Sequence, residues 1–428
     1  MDRAARLLGA EEVPWRGHMA EAADRRSKVT ESWKPFSRVI LKATGLVACE
    51  HGRESSCRIE AAPLYNGRVL VQATIDGKSS QIRDWADRCQ RFRISGTLDD
   101  GRELAATDIH WTNYELLPSD SEENVPEGFV GRTGCLEVSS RGYSRSVPQS
   151  VIYELTNARL DRRVGPVGLG GCGSTTTLTP SPDHRWVRRR MEALRTSGVL
   201  SRLRVEVVGR RPAEGPDDTA HALCGLLTLV CRSPVAIVGE HWDDPEQPAK
   251  LSRYREPPFL YAPIFRPMVS SEQLGEFLDV TYGAYVERWR DWDLPNAIDH
   301  YVQALALQSA WAQAVGFFTA METLKRPFLH SQGRSEHDAR GYATVVEQMI
   351  NVLTIPADDL DVRNLIKLRD KIIHRGSPGI GETPWHDEAE AFRMVAQFGG
   401  LVESTILAIL GYRGQFERYD QLFVSSCD

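Results

Sequence analysis

Asn364-Leu365-Ile366-Lys367-Leu368-Arg369-Asp370-Lys371-Ile372-Ile373-His374-Arg375-Gly376 sets an arginine within an apolar helical stripe. It then ends the helix on a histidine and a glycine. At 3.6 residues per turn, Val362, Leu365, Ile366, Ile372 and Ile373 fall on one side. Arg369 sits among them, four residues after Leu365 and three before Ile372. A guanidinium on such a face is costly unless it is paired or faces a site. Asp358, Asp359 and Asp361 crowd the helix start, where negative charge suits the dipole. Gly376 and Pro378 mark its end. Arg369 and His374 are five residues apart, so an ideal helix separates them by about 140°. They converge only if the last turn unwinds toward Gly376, the long Arg side chain swings, or a second copy of the chain contributes.

Working outward, the chain from Ser270 reads as helical. Helices are predicted over about 271–290, 296–325, 336–353, the motif segment, and from Thr383-Pro384 to about Leu410. Ser270 and Gln273 are spaced as a capping box, and Leu294-Pro295 breaks the first helix from the second. Short links between five helices predict an antiparallel bundle. Upstream, the period switches to that of strands. Leu64–Val71 reads as a hairpin on Asn66-Gly67, and Phe92–Ala105 as another on Asp100-Gly101. The expected organisation is α+β and multidomain. It has an N-terminal arm (1–32), a β-rich sandwich or barrel (33–178), a mixed α/β middle region (179–269) and the helical bundle (270–428).

Composition bounds the rest. The chain has 428 residues, 41% hydrophobic and 26% charged, a net charge of −6 and a pI near 6.1. That is an ordinary soluble composition and not a basic nucleic-acid coat. The expected compartment is the cytoplasm. No apolar run approaches a membrane span, and no signal-peptide core follows Met1. The eight Cys form no C-x-x-C pair and no disulfide framework, so free thiols are expected. No Cys/His spacing fits zinc, and neither a metal nor another cofactor is expected.

Other motifs have ordinary readings. Gly168-Leu169-Gly170-Gly171-Cys172-Gly173 matches G-x-G-x-x-G, but Pro166 precedes it and threonines follow, so a linker or turn is expected. His386-Asp387-Glu388 puts acids in a first helical turn, where they suit the dipole. Arg185, Arg188 and Arg189 lead a basic segment beside Trp186. It reads as a phosphate-contacting surface or as a solvated helix face. Glu322 shares a helix face with Trp311, Val315 and Phe318. It pairs either with Arg369 or His374, or, at the rim, with Lys325 or Arg326.

The Arg-x4-His spacing alone means little, since this composition gives about one such pair by chance. Its setting, at the end of a penultimate bundle helix, leaves two readings open: a site, or an Arg buried through a salt bridge. Here the chain resembles a known family. Arg369-Asp370-Lys371-Ile372-Ile373-His374 is similar to the Arg-[Asn/Asp/His]-x-x-x-His signature of the HEPN superfamily. The string Leu365 to Gly376 resembles that of its ApeA-like group, and Ala320-Met321-Glu322-Thr323-Leu324 resembles that group's upstream helix.

The resemblance covers about 270–428 and implies a metal-independent endoribonuclease, of the anti-phage or toxin type. His374 would be the general acid or base and Arg369 the phosphate ligand, with Asp370 orienting the pair. Glu322, Lys371 and Arg375 would support them. RNA would be the substrate, with 2′,3′-cyclic phosphate ends. The resemblance further implies a homodimer through the bundle, and a phage-derived or co-encoded trigger is a further expected partner. The alternative is a non-catalytic sensor or nucleic-acid or nucleotide-binding module.

Overall fold

A computed structural model describes residues 40–65, 67–75, 91–116, 127–140, 150–169, 174–194, 198–207, 216–242, 251–258, 265–335, 341–356, 360–375 and 388–424. The chain forms two compact units. The first comprises Met1–Thr156, Ser181–Leu200 and Ala236–Tyr261, the second Asn157–Pro180, Ser201–Val235 and Ala262–Asp428. Residues 179–269, a mixed region by sequence, are shared between them.

In the first unit, β1 (Leu41–Cys49), β2 (Glu54–Pro63), β3 (Val69–Ile75), β4 (Phe92–Leu98), β5 (Glu103–Leu116) and β6 (Glu127–Thr133) pair in the order β4-β1-β2-β3-β6-β5. β4 also pairs with β5, which closes the ring. Of the two β architectures expected, the structure takes the barrel, in which those six strands leave no free edge. Its interior follows the two-residue period. Val69, Val71, Ala73 and Ile75 point inward from β3, and Phe92, Ile94 and Leu98 from β4.

Both predicted hairpins are present. At the second, Gly101 takes φ +83°, and Leu98 N–H donates to the Arg102 carbonyl at 2.8 Å. At the first, Pro63 pairs with Val69 and Gly67 takes φ +83°; Asn66 lies outside the described residues. The sheet continues from β5 through β7 (Cys135–Ser139), β13 (Leu251–Arg255) and β12 (Ile237–Trp242) to β8 (Ser150–Thr156). One helix, α1 (His184–Leu194), buries Val187 and Met191.

The second unit opens with β9 (Val164–Leu169) and β10 (Ser174–Pro180), which pairs with β9 on one side and with β11 (Val199–Val207) on the other. The glycine-rich stretch is therefore strand rather than linker on both sides of residues 170–173, which lie outside the description. Alternation of small and apolar residues, Val164, Val167 and Leu169 buried, explains it.

Then come α2 (Pro216–Cys231), α3 (Leu274–Arg288), α4 (Leu294–Ala306), α5 (Ala310–Ser331), α6 (Tyr342–Leu353), α7 (Val362–Arg375) and α8 (Glu388–Ile409). Half of the Ser270–Gln273 box forms: the Gln273 N–H donates to Ser270 Oγ at 3.4 Å, but the Ser270 hydroxyl donates to the Gln273 side-chain oxygen at 3.1 Å, and the helix itself starts at Leu274. The single helix expected over 296–325 is two. Leu307 leaves helical geometry at φ −77°, ψ 138°. The chain turns back so that Gly316 lies against Ala304, where a Cβ would come within 2.5 Å of the Ala304 methyl. Small residues on both helices allow that approach.

The Thr383-Pro384 start lies outside the described residues. The Ala389–Ile409 part of α8 is long and apolar enough to cross a membrane, but 72% of that window is buried within the protein, as in a soluble core helix.

Candidate functional site

Helix α7 is built locally as the sequence suggests. Asp361 Oδ1 accepts the Asn364 N–H at 3.0 Å, a cap on the first turn. Arg363 donates to Glu347 of α6 at 3.2 Å. The helix packs on α5, α6 and α8.

The buried face differs from the expected stripe. Val362, Leu365, Leu368 and Ile372 are buried, Ile366 is half-buried, and Ile373 is 48% exposed. Leu368 replaces Ile373, because both are apolar and the neighbouring helices select the side that packs. The rotation moves Arg369 from the middle of the stripe to its rim, with a side chain 33% exposed. It needs no buried countercharge there.

Arg369 is held from its own helix and from a neighbouring one. Arg369 Nη1 donates to Asp370 Oδ1 at 3.0 Å. The guanidinium lies over the ring of Tyr342, from α6, 5.2 Å from its centroid. The Lys325 ammonium, from α5, lies 5.0 Å from the same centroid and pairs with Glu322 at 2.5 Å. Burial, and then the Glu322 carboxylate, hold the Tyr342 phenol well above its ordinary range, while Arg369 pulls the other way. Tyr342 Oη donates to the Phe318 carbonyl at 3.4 Å.

Of the two readings open for Glu322, its ion pair is the rim one, with Lys325; it and Arg369 meet only through Tyr342. Sequence reasoning missed Tyr342, which sits 27 positions before Arg369 with no motif spacing to mark it.

His374 is exposed in the last turn, and no hydrogen bond or ion pair joins it to a described residue. The helix runs unbroken to Arg375, so the last turn does not unwind before that residue. Within one chain the two motif side chains therefore leave the helix about 140° apart. Lys371 is half-buried. The Arg375 side chain and residues 376–387, with His386 and Asp387, lie outside the description.

In the first unit, Arg185 and Arg189 are exposed on α1 and Arg188 is half-buried. Trp186 between them is 37% exposed and meets the Tyr65 ring edge-on at 5.4 Å. The five described Cys are free thiols. Among the described residues no cluster of three His, Cys, Asp or Glu is placed to hold a metal ion.

A second polar centre was also missed. Arg232 and Glu403 are 0% exposed and share two hydrogen bonds, at 2.6 and 3.0 Å. Tyr301 Oη and the Tyr419 N–H also donate to Glu403. The signal was there, a lone carboxylate in the apolar run Leu401 to Leu410. Every polar edge is used inside the unit, so this centre braces the fold.

The fold and the site together define an α+β chain with a cation–aromatic cluster on the rim of a helical unit. Comparison with family models, curated proteins and solved structures finds no match.

Proposed function

We propose that the chain is a metal-independent endoribonuclease effector of the HEPN type, working in the cytoplasm as an anti-phage or toxin-like protein. The observation that carries this reading is the arrangement on α7. Arg369 is held at the rim between Asp370 and Tyr342, and an exposed His374 follows five residues on. A rim guanidinium can bind a phosphodiester and stabilise the charge that grows on phosphorus. An exposed imidazole can move a proton.

In the proposed reaction the RNA 2′-oxygen attacks the adjacent phosphorus and loses its proton. The bond from phosphorus to the 5′-oxygen breaks, and that oxygen gains a proton. His374 carries out one of these transfers. The products are a 2′,3′-cyclic phosphate and a 5′-hydroxyl. The 140° separation within one helix favours a homodimer through the bundle, in which motifs from two copies line one groove. The Arg185, Arg188 and Arg189 face would add sequence-independent phosphate contacts. A phage-derived or co-encoded trigger would switch the activity on.

The second reading, a non-catalytic RNA or nucleotide sensor, is favoured by one observation. Both cations at the Tyr342 ring already have carboxylate partners, Asp370 and Glu322. One experiment separates the two. Purified wild type is expected to cleave single-stranded RNA in the presence of a chelator, leaving cyclic phosphate ends. His374→Ala is expected to lose at least about a hundredfold in rate, with its circular dichroism unchanged. Tight RNA binding without cleavage selects the sensor.

A further inference from the structure

We propose that Tyr342 is a positioning residue for Arg369, its ring face fixing where the guanidinium presents its N–H edge. The functional consequence rests on the ribonuclease reading; the geometric claim does not. Arg369 is a long side chain on a helix rim. Its hydrogen-bond partner, Asp370, is the next residue along, and adjacent helical residues do not face each other. That single contact tethers one nitrogen, Nη1, and leaves the rest of the group free to rotate.

The Tyr342 ring supplies the missing constraint from a different helix, at 5.2 Å. It does so through the face of an aromatic ring. A ring face brings no carboxylate oxygen to the guanidinium, whereas a second carboxylate would occupy the fork that a phosphate needs. Nε and Nη2 have no partner among the described residues, and they form one side of that fork. The ring thus orders the group without consuming its recognition edge.

The rest of the Tyr342 environment suits this role. Phe318 meets its ring edge-on at 6.2 Å, and the Phe318 carbonyl accepts its hydroxyl. Lys325, held by Glu322, covers the ring a second time. The phenol keeps its proton through neutral pH, since burial and Glu322 both favour the neutral form. It is no proton carrier, so the ring and not the hydroxyl should matter.

The test compares Tyr342→Leu with Tyr342→Phe in the full-length protein, using cleavage of one fixed single-stranded RNA. Tyr342→Leu should lower kcat/KM about tenfold, the size of a partly desolvated cation–aromatic contact. Tyr342→Phe should restore most of that loss, with the same pH profile as wild type. In an Arg369→Lys background the Tyr342→Leu penalty should shrink to under about twofold. A penalty that is the same in both backgrounds, or a Tyr342→Leu rate within about twofold of wild type, overturns the proposal.

A second measurement needs no activity. The Arg369 Nε–H signal, assigned by its loss in Arg369→Lys, should carry an upfield ring-current shift in wild type and in Tyr342→Phe. If wild type cuts no RNA, the ribonuclease reading fails and this shift decides the geometric claim alone. An unshifted Arg369 signal in wild type overturns it, whether or not Tyr342→Leu folds.

Discussion

Arg232 and Arg369 place guanidinium groups in the helical unit under opposite conditions. Arg369 is at the rim, and its charge stays partly hydrated. Arg232 is fully enclosed, with φ +51° at its own backbone. Its Nη1 donates to the Arg266 carbonyl at 3.1 Å, and its Nη2 also reaches the Glu417 carbonyl. Burial lowers its affinity for the proton, but Glu403 more than offsets that and leaves the group firmly charged. Removing one partner leaves the other buried and unpaired. Glu403→Gln is therefore expected to cost about 3–5 kcal/mol in urea unfolding. The double change Arg232→Met with Glu403→Leu should cost less than the sum of the two single changes. A Glu403→Gln protein within about 1 kcal/mol of wild type would show that the pair is not the brace described. At Arg369, by contrast, stability should barely respond to substitution, and activity should carry the effect.

At the level of elements, glycine permits a close approach of two helices. The α4–α5 crossing has Gly316 against Ala304, so Gly316→Ala must push two backbones apart. It should cost about 1–3 kcal/mol. Gly168→Ala in β9 serves as the control, because nothing lies within 4 Å of the added methyl. It should stay within about 0.5 kcal/mol. Equal effects in the two variants would count against close packing at the crossing. The same contact explains which elements could be read from the sequence. The Asp100-Gly101 turn is a local matter of backbone preference, and it is where the residues put it. The break at Leu307 has only a weak local sign, Ser309 at the N-cap of α5, and Ala304 meeting Gly316 is a tertiary contact that no local pattern shows. The phase of α7 was ambiguous for a similar reason, since Leu368 and Ile373 are equally apolar and their partners choose between them. Arg369 and Glu322 could be singled out as anomalies on their own helices, and Asp370 only through the signature it resembles. Tyr342 could not, because an aromatic on an amphipathic helix looks like ordinary core. Glu403 stands out locally as a lone carboxylate, but its partner Arg232, 171 positions away, was out of reach of any local pattern.

Among the described residues of the whole molecule, the buried groups that resist losing protons gather in the second unit. Burial pushes Cys224 up to about 12 and Cys231 up to about 11, from ordinary values of 9.0. Tyr285 and Tyr419 rise from 10.0 to about 12, and Tyr301 rises well beyond its usual range, in each case through burial first. All of these belong to the helical unit. In the barrel unit, Cys135 shows the same direction of shift. The sign follows from proton counting. Between the ordinary and the raised values, the unfolded chain has given up protons that the folded chain still holds, so stability falls as pH rises. The contribution is complete below about pH 9 and is lost as pH climbs through about 11 to 12. The urea midpoint of the far-UV helical signal should therefore drop between about pH 8 and pH 10.5. The drop should be larger than that of the strand signal, because the barrel has fewer such groups among the described residues. A helical midpoint that holds steady or rises over that interval would mean the thiols and phenols are open to water in the folded protein. The close packing around Tyr301, Tyr419 and Cys224 would then have to be redrawn.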